Sequence, residues 1–210
     1  MGRLIAAILV CCSLSSCAAV ATVAAIPGAV MQGYNYFIKG QETGVPRDMR
    51  TSLALVQKGL RRVDMHVDVL EPLSDGYAVS FGGHTLDGDI QLVRTTEHLT
   101  TIKVSVRKGV LHQKSVEKAI ITAIQNKEPT ISSKARFQFE GYIPLLQNSI
   151  KGAEKIAWYR HGAYAEMKPA KPHGWLELTL PSGNKAYLRG HMAHSEAAMN
   201  TKKLHQAIEE

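Results

Sequence analysis

Apolar positions along this chain switch repeatedly between two rhythms, and each switch marks an element. Met49, Leu53, Val56 and Leu60 recur at helical spacing, with Leu55 beside them. Pro46 suits a first turn, Asp48 stands near the start, and Arg61 and Arg62 suit the C-terminal end. The spacing therefore predicts a helix over about 46–62. Val63, Met65, Val67 and Val69 then alternate with Asp64, His66 and Asp68, the period-two signature of a strand with one buried and one wet face. Ser74-Asp75-Gly76 reads as a turn, and Tyr77–Phe81 as the next strand. Leu86-Asp87-Gly88-Asp89 leads into a strand over Ile90–Arg94, and another follows over Leu99–Val106. In the latter, Ile102, Val104 and Val106 point one way while Lys103, Ser105 and Arg107 point the other. From Ser115 to about Asn126 the helical period returns, with Val116, Ala119, Ile120, Ala123 and Ile124 on one side. Ahead of all these, Tyr34–Gly40 is aromatic and β-branched with a Gly stop, the composition of a first strand.

The order strand, helix, four antiparallel strands, helix gives the expected fold class. It is α+β, an antiparallel β-meander covered on one face by two helices. Asp64, His66, Asp68, Lys103, Ser105 and Arg107 would lie on the opposite, wet face. The expected organisation is a 34–127 α+β domain, a polar 128–135 linker containing Pro129, and a smaller 136–210 C-terminal region. In that region Arg136–Phe139 reads as a strand and Pro144–Ile150 as a short helix. The best hairpin signal is Trp175–Leu180, turn Pro181-Ser182-Gly183-Asn184, then Lys185–Arg189. The tail from His191 is polar, with helical spacing at Met199, Leu204 and Ile208, and no internal repeat is visible.

The N-terminus has a different character. Arg3 is the only charge before Lys39, Leu4–Val10 is apolar, and small residues follow, as in a secretory signal. Leu14-Ser15-Ser16-Cys17 resembles the lipobox of bacterial lipoproteins. The resemblance implies that 1–16 is removed and that Cys17 becomes the mature N-terminus, carrying a thioether-linked diacylglycerol and an amide-linked acyl chain. Two or more chains anchor a protein stably where one does not. Residues 17–33 would form a Gly/Ala-rich tether. The competing reading is an uncleaved single span, since Leu4–Met31 has no charge and is long enough to cross a bilayer. Ser13, Ser15, Ser16, Pro27 and Gly28 weaken that helix. Both readings place the rest of the chain outside the cytoplasm.

The cysteines agree with this. All three, Cys11, Cys12 and Cys17, lie in the leader, so the folded part would have no disulfide, thiolate metal site or cysteine nucleophile. Cleavage leaves 194 residues (210 minus 16), and loss of Arg3 leaves 24 basic against 18 acidic residues, a charge of +6. That excess favours anionic lipid heads or cell-wall phosphates, and the compartment argues against nucleic acid. Aromatics at 6% argue against a stacking platform.

The small-residue tract, then Gly33-Tyr34-Asn35-Tyr36-Phe37-Ile38-Lys39-Gly40-Gln41, an amphipathic helix and a β-meander are together similar to a family of small bacterial lipoproteins of unknown function. The similarity covers about residues 17–126. It implies a location and a fold, and it brings no catalytic residues.

Candidate chemistry is sparse. His191 and His194 are three apart and would share a helix face, but no acidic partner is placed to complete a zinc motif. His161 and His173 flank Tyr164 and Lys168. Asp64, His66 and Asp68 would set two carboxylates around an imidazole, although a wet strand face requires such residues anyway. Asp87-Gly88-Asp89 reads as a turn, since the other positions of a calcium loop are missing. Ser182 joins two strands and lacks the flanking glycines of a nucleophile elbow. Trp158, Tyr159, Tyr164, Trp175 and Tyr187 gather five large aromatics in the C-terminal part, where they would line a ligand or partner surface, form a small core, or both. No catalytic residue, metal ligand or cofactor is assigned. The expectation is a lipid-anchored, non-enzymatic envelope protein that binds an envelope protein or cell-wall component. In a host with two membranes it would sit in the outer membrane facing the periplasm, because Ala18, not aspartate, follows Cys17. The alternative is an envelope hydrolase with its site in the C-terminal region.

Overall fold

Asp48 decides where the first helix begins. Its carboxylate accepts from the Arg50 amide at 3.0 Å, the Thr51 amide at 3.1 Å and the Thr51 hydroxyl at 2.6 Å, satisfying donors that helix geometry leaves open. Burial acts to raise the Asp48 pKa, and these hydrogen bonds outweigh it, so the group stays below the ordinary carboxylate value. Helix α1 then runs Met49–Arg61, with Lys58 and Arg61 in its last turn. The computed structural model describes residues 40–82 and 86–190. The leader, Cys17, the tether, most of the predicted 34–40 strand, and the tail with His191 and His194 lie outside the described residues.

Before the helix, β1 spans Gln41–Val45. After it come β2 (His66–Leu73), β3 (Gly76–Gly82), β4 (Asp87–Thr96) and β5 (Leu99–Lys108), the meander that the alternation predicts. A short β6 (Leu111–His112) folds back on β5, and α2 spans Lys114–Lys127. The C-terminal strands are β7 (Tyr142–Leu146), β8 (Lys155–Arg160), β9 (Met167–Ala170), β10 (Trp175–Thr179) and β11 (Lys185–Arg189). All eleven strands form one antiparallel sheet in the order β1-β5-β4-β3-β2-β8-β7-β11-β10-β9, with β6 on β5. The class is α+β and mostly sheet. Among the described residues no helix is long and apolar enough to cross a membrane.

β2 and β8 join the meander to the C-terminal strands, pairing Val69 with Tyr159 and Leu70 with Trp158. The sheet carries a core on each face. Leu53, Leu55 and Leu60 of α1 and Ile120 and Ile124 of α2 share one cluster with Val79, Ile90, Leu92 and Ile102 of the sheet. Val69, Leu145, Ala157, Tyr159, Leu176, Leu178 and Leu188 form the second.

That second core corrects the predicted wet face. Asp68 and Ser105 are only 7% and 5% exposed. A β-bulge between Val67 and Val69 ends the strict alternation, so Asp68 is buried between two buried valines. Two further predicted elements differ. Pro144–Ile150 is not a helix: residues 142–146 are strand β7. Pro144 is tolerated because the β7–β11 ladder registers only at Tyr187 and Leu146, so its missing N–H interrupts no pair there. Arg136–Phe139 is not a strand. The buried Gln57 side chain of α1 occupies the place of a neighbouring backbone, donating to the Gln138 carbonyl and accepting from its amide, both at 2.9 Å. Phe137, Phe139, Tyr142 and Trp158 then stack edge and tilt along that segment. Residues 128–135 also pack closely. Ile131 belongs to the first core, and the Ser133 carbonyl lies 3.2 Å from the Thr51 hydroxyl oxygen.

The Gln57 bridge has a measurable weight. Truncation to Ala removes both hydrogen bonds that the buried Gln57 side chain makes to the Gln138 backbone, so Gln57→Ala should lower stability by about 1–3 kcal/mol in urea unfolding. Gln125→Ala, which removes an exposed contact to Thr43, should stay within about 0.5 kcal/mol.

Candidate functional site

A wide concavity lies on the sheet face opposite the first core. It is a cleft of about 520 Å³. One wall is the meander, with Asp68 from β2, Ser80 from β3, Asp87 and Asp89 from β4 and Arg107 from β5. The other is the Tyr164–Lys168 stretch, Glu177–Thr179 of β10 and Lys185 of β11. Alternation puts these meander side chains here, since their neighbours Ile90, Val106 and Phe81 point into the first core. Gly88, opposite Phe81 on the side facing the first core, leaves room for the Phe81 ring. The Phe81 ring packs over it, and a Cβ there would lie 2.3 Å from that ring and 2.8 Å from the Ser105 carbonyl oxygen.

Charged side chains on both walls form ion pairs. Arg160 donates to the Asp68 carboxylate through Nη2 at 2.6 Å and Nε at 3.1 Å. Burial pushes the Asp68 carboxyl above its ordinary value, and the Arg160 hydrogen bond and charge bring it back only in part. Arg107 pairs with Asp89 at 3.0 Å, and Ser80 reaches the same carboxylate at 3.4 Å. Across the cleft Glu177 pairs with Lys185 at 2.9 Å and accepts from the Tyr187 hydroxyl at 3.0 Å. The Lys185 hydrogen bond, then that of Tyr187, hold the Glu177 carboxyl low, and Glu177 in turn raises Lys185 and Tyr187. The cleft thus offers a ligand both signs of charge from paired side chains. No histidine lines it, and among the described residues no group of three His, Cys, Asp or Glu is placed to hold a metal.

The five aromatics do not share one groove. Trp158 and Tyr159 are consecutive in β8 and so face opposite sides: Trp158 packs on the first core, Tyr159 is in the second. The Tyr159 hydroxyl donates to the Ala163 carbonyl. Trp175 is buried, and Tyr187 is half-buried and tied to Glu177. Only Tyr164 lines the cleft, and it is largely exposed. His161 and His173 sit in exposed turns. Asp64 occupies a turn with φ of 55°, His66 is exposed at the start of β2 and Asp68 is buried, so the three share no strand face. Ser182 has a structural partner, donating through its amide at 3.0 Å and its hydroxyl at 2.6 Å to the buried Glu71 carboxylate of β2.

A second concavity of about 350 Å³ is lined by Lys58, Arg61 and Lys127 with Thr130 and Ile131. Its cations stand at the C-terminal ends of α1 and α2, where they complement the helix dipoles. Comparison of the chain with protein-family models, curated proteins and solved structures returns no match.

Sequence reasoning missed the Asp68–Arg160 and Glu71–Ser182 pairs. One signal was present. Val69-Leu70 are consecutive apolar residues, and a strand with one wet face does not place two together.

The Asp68–Arg160 pair predicts a pH dependence. Arg160→Ala leaves a buried carboxylate without its cation, at a cost of roughly 1–3 kcal/mol near neutral pH, because the Arg160 side is partly open to water. The folded-state pKa of Asp68 is already above its unfolded value, and losing Arg160 raises it further. The folded variant therefore binds a proton more readily than its unfolded chain, and its deficit against the parent should shrink as pH falls toward the carboxylate range. Unfolding free energies measured from neutral to mildly acidic pH check the sign.

Proposed function

We propose that this chain is a lipid-anchored bacterial envelope protein whose folded part is a non-enzymatic binding module. The observation that carries the reading is Leu14-Ser15-Ser16-Cys17 behind a charge-free apolar run. Lipidated Cys17 would hold the protein to the membrane, the tether would give it reach, and the α+β body with its meander and two helices would carry the binding surface. In a host with two membranes the anchor sits in the outer membrane and the body faces the periplasm.

The charged cleft supports binding over catalysis. Asp68, Asp89 and Glu177 are each held by a cation, and the serine that lines the cleft, Ser80, is 3.4 Å from the Asp89 carboxylate that Arg107 already holds. A nucleophile needs a general base free to take its proton, and Asp89 is engaged with a cation. Paired charges in a wide cleft suit a polar partner carrying both signs, such as a peptide-bearing cell-wall fragment or the surface of another envelope protein.

Cys17→Ala tests the anchor. The variant should remain an uncleaved, slower-migrating precursor and incorporate no labelled palmitate. Label incorporated at the parent's level would remove the lipid-anchored reading.

A further inference from the structure

We propose that the β5–β6 hairpin tip, Lys108–Leu111, is a membrane-contacting element that seats the folded body on an anionic lipid surface; the inference rests on the lipid-anchored reading above. Val110 and Leu111 are 93% and 67% exposed. They are adjacent at the tip of a two-residue turn, Gly109-Val110, in which Gly109 has φ of 59°. The second position of such a turn ordinarily takes Asn, Asp, Ser or Gly. Neither Val110 nor Leu111 belongs to either core, so the fold gains nothing from their apolarity.

The surroundings identify the partner. Lys108 and Lys114 flank the tip, both exposed, and neither makes an ion pair among the described residues. Arg107 is also exposed, although Asp89 holds it. Apolar side chains at a tip, ringed by free ammonium groups on long stems, match the boundary between acyl chains and anionic headgroups.

The sheet register supplies a second observation. β1 pairs antiparallel with β5, Gln41 opposite Val104. Chain preceding Gln41 therefore joins the sheet at the strand ends where β5 runs on to the tip. Gly40 is already against the Val104 carbonyl, so close that a Cβ would lie 2.0 Å from its oxygen. In sequence, that chain leads back to Cys17. The described entry into the sheet at Gly40–Gln41 and the Val110–Leu111 tip thus lie toward the same strand ends. Two membrane signals together hold a protein where each alone is weak.

The test uses the full chain, processed in cells, purified and reconstituted into phosphatidylethanolamine–phosphatidylglycerol vesicles. A photoreactive benzophenone side chain replaces Val110 or, as a control, Ile150. Ile150 is 65% exposed in the β7–β8 turn, at the other strand ends. After irradiation, phospholipid adducts should appear on the peptide containing position 110 and be at least several-fold fewer at 150. Replacing phosphatidylglycerol by phosphatidylcholine, or introducing Lys108→Glu with Lys114→Glu, should lower the adduct yield at 110 several-fold. Equal yields at the two positions, no lipid adduct at 110, or protein adducts alone at 110 in intact cells would each overturn the proposal. The intact mass of the same preparation reports whether Cys17 carries lipid. Lipid adducts at 110 on an unlipidated chain would retain the tip and remove the anchor; a lipidated chain without adducts would do the reverse.

Discussion

β2 is buried on both faces, and the rest of the described structure is arranged around that fact. Val67, Asp68, Val69, Leu70 and Glu71 are all buried, five in succession. The apolar three divide between the cores, Val67 and Leu70 to the first and Val69 to the second. The two carboxylates cannot be left without partners at that depth. Arg160 of β8 answers Asp68, and Ser182 of the β10–β11 turn answers Glu71. Both partners come from the C-terminal strands. The meander and those strands are therefore held by polar bonds as well as by shared apolar surface, and loss of either partner strands a buried charge.

The elements with a local cause were legible in the sequence. α1 has its stripe, its Asp48 cap and its cationic end, and it spans 49–61 against an expected 46–62. The meander strands announce themselves by alternation and α2 by its apolar spacing. The β10–β11 hairpin follows from the Pro-Ser-Gly-Asn turn. Elements defined by tertiary neighbours were not legible. β7 holds a proline and reads as a helix start, and only its place beside β8 makes it a strand. Residues 136–139 have strand composition, yet an α1 glutamine takes the hydrogen bonds a neighbouring strand would have taken. The wet face of the meander was inferred from polar alternation alone. Period two says which residues share a face and does not say whether a second layer covers it.

The cleft shows the same limit at the level of chemistry. Its lining comes from positions as far apart as Asp68 and Lys185, none of which forms a motif with its sequence neighbours. The aromatic cluster was visible as a cluster only in composition. Consecutive residues of a strand point to opposite faces, so Trp158 and Tyr159 are separated by the geometry that makes β8 a strand.

Residues that break the local rules of this fold fall into two kinds. Asp68, Glu71 and Gln57 are polar groups in buried positions, and each has a named partner that restores its hydrogen bonds. They specify which segments meet, because an exchange of partners would leave them unsatisfied. Val110 and Leu111 break the opposite rule, being apolar where water and turn geometry favour polar side chains, and nothing within the described fold compensates for them. A buried polar residue with a partner is explained by the protein's own interior. The exposed apolar pair beside Lys108 and Lys114 has no such partner among the described residues, and it stands toward the strand ends at which β1 begins; the complement proposed for it is a lipid surface.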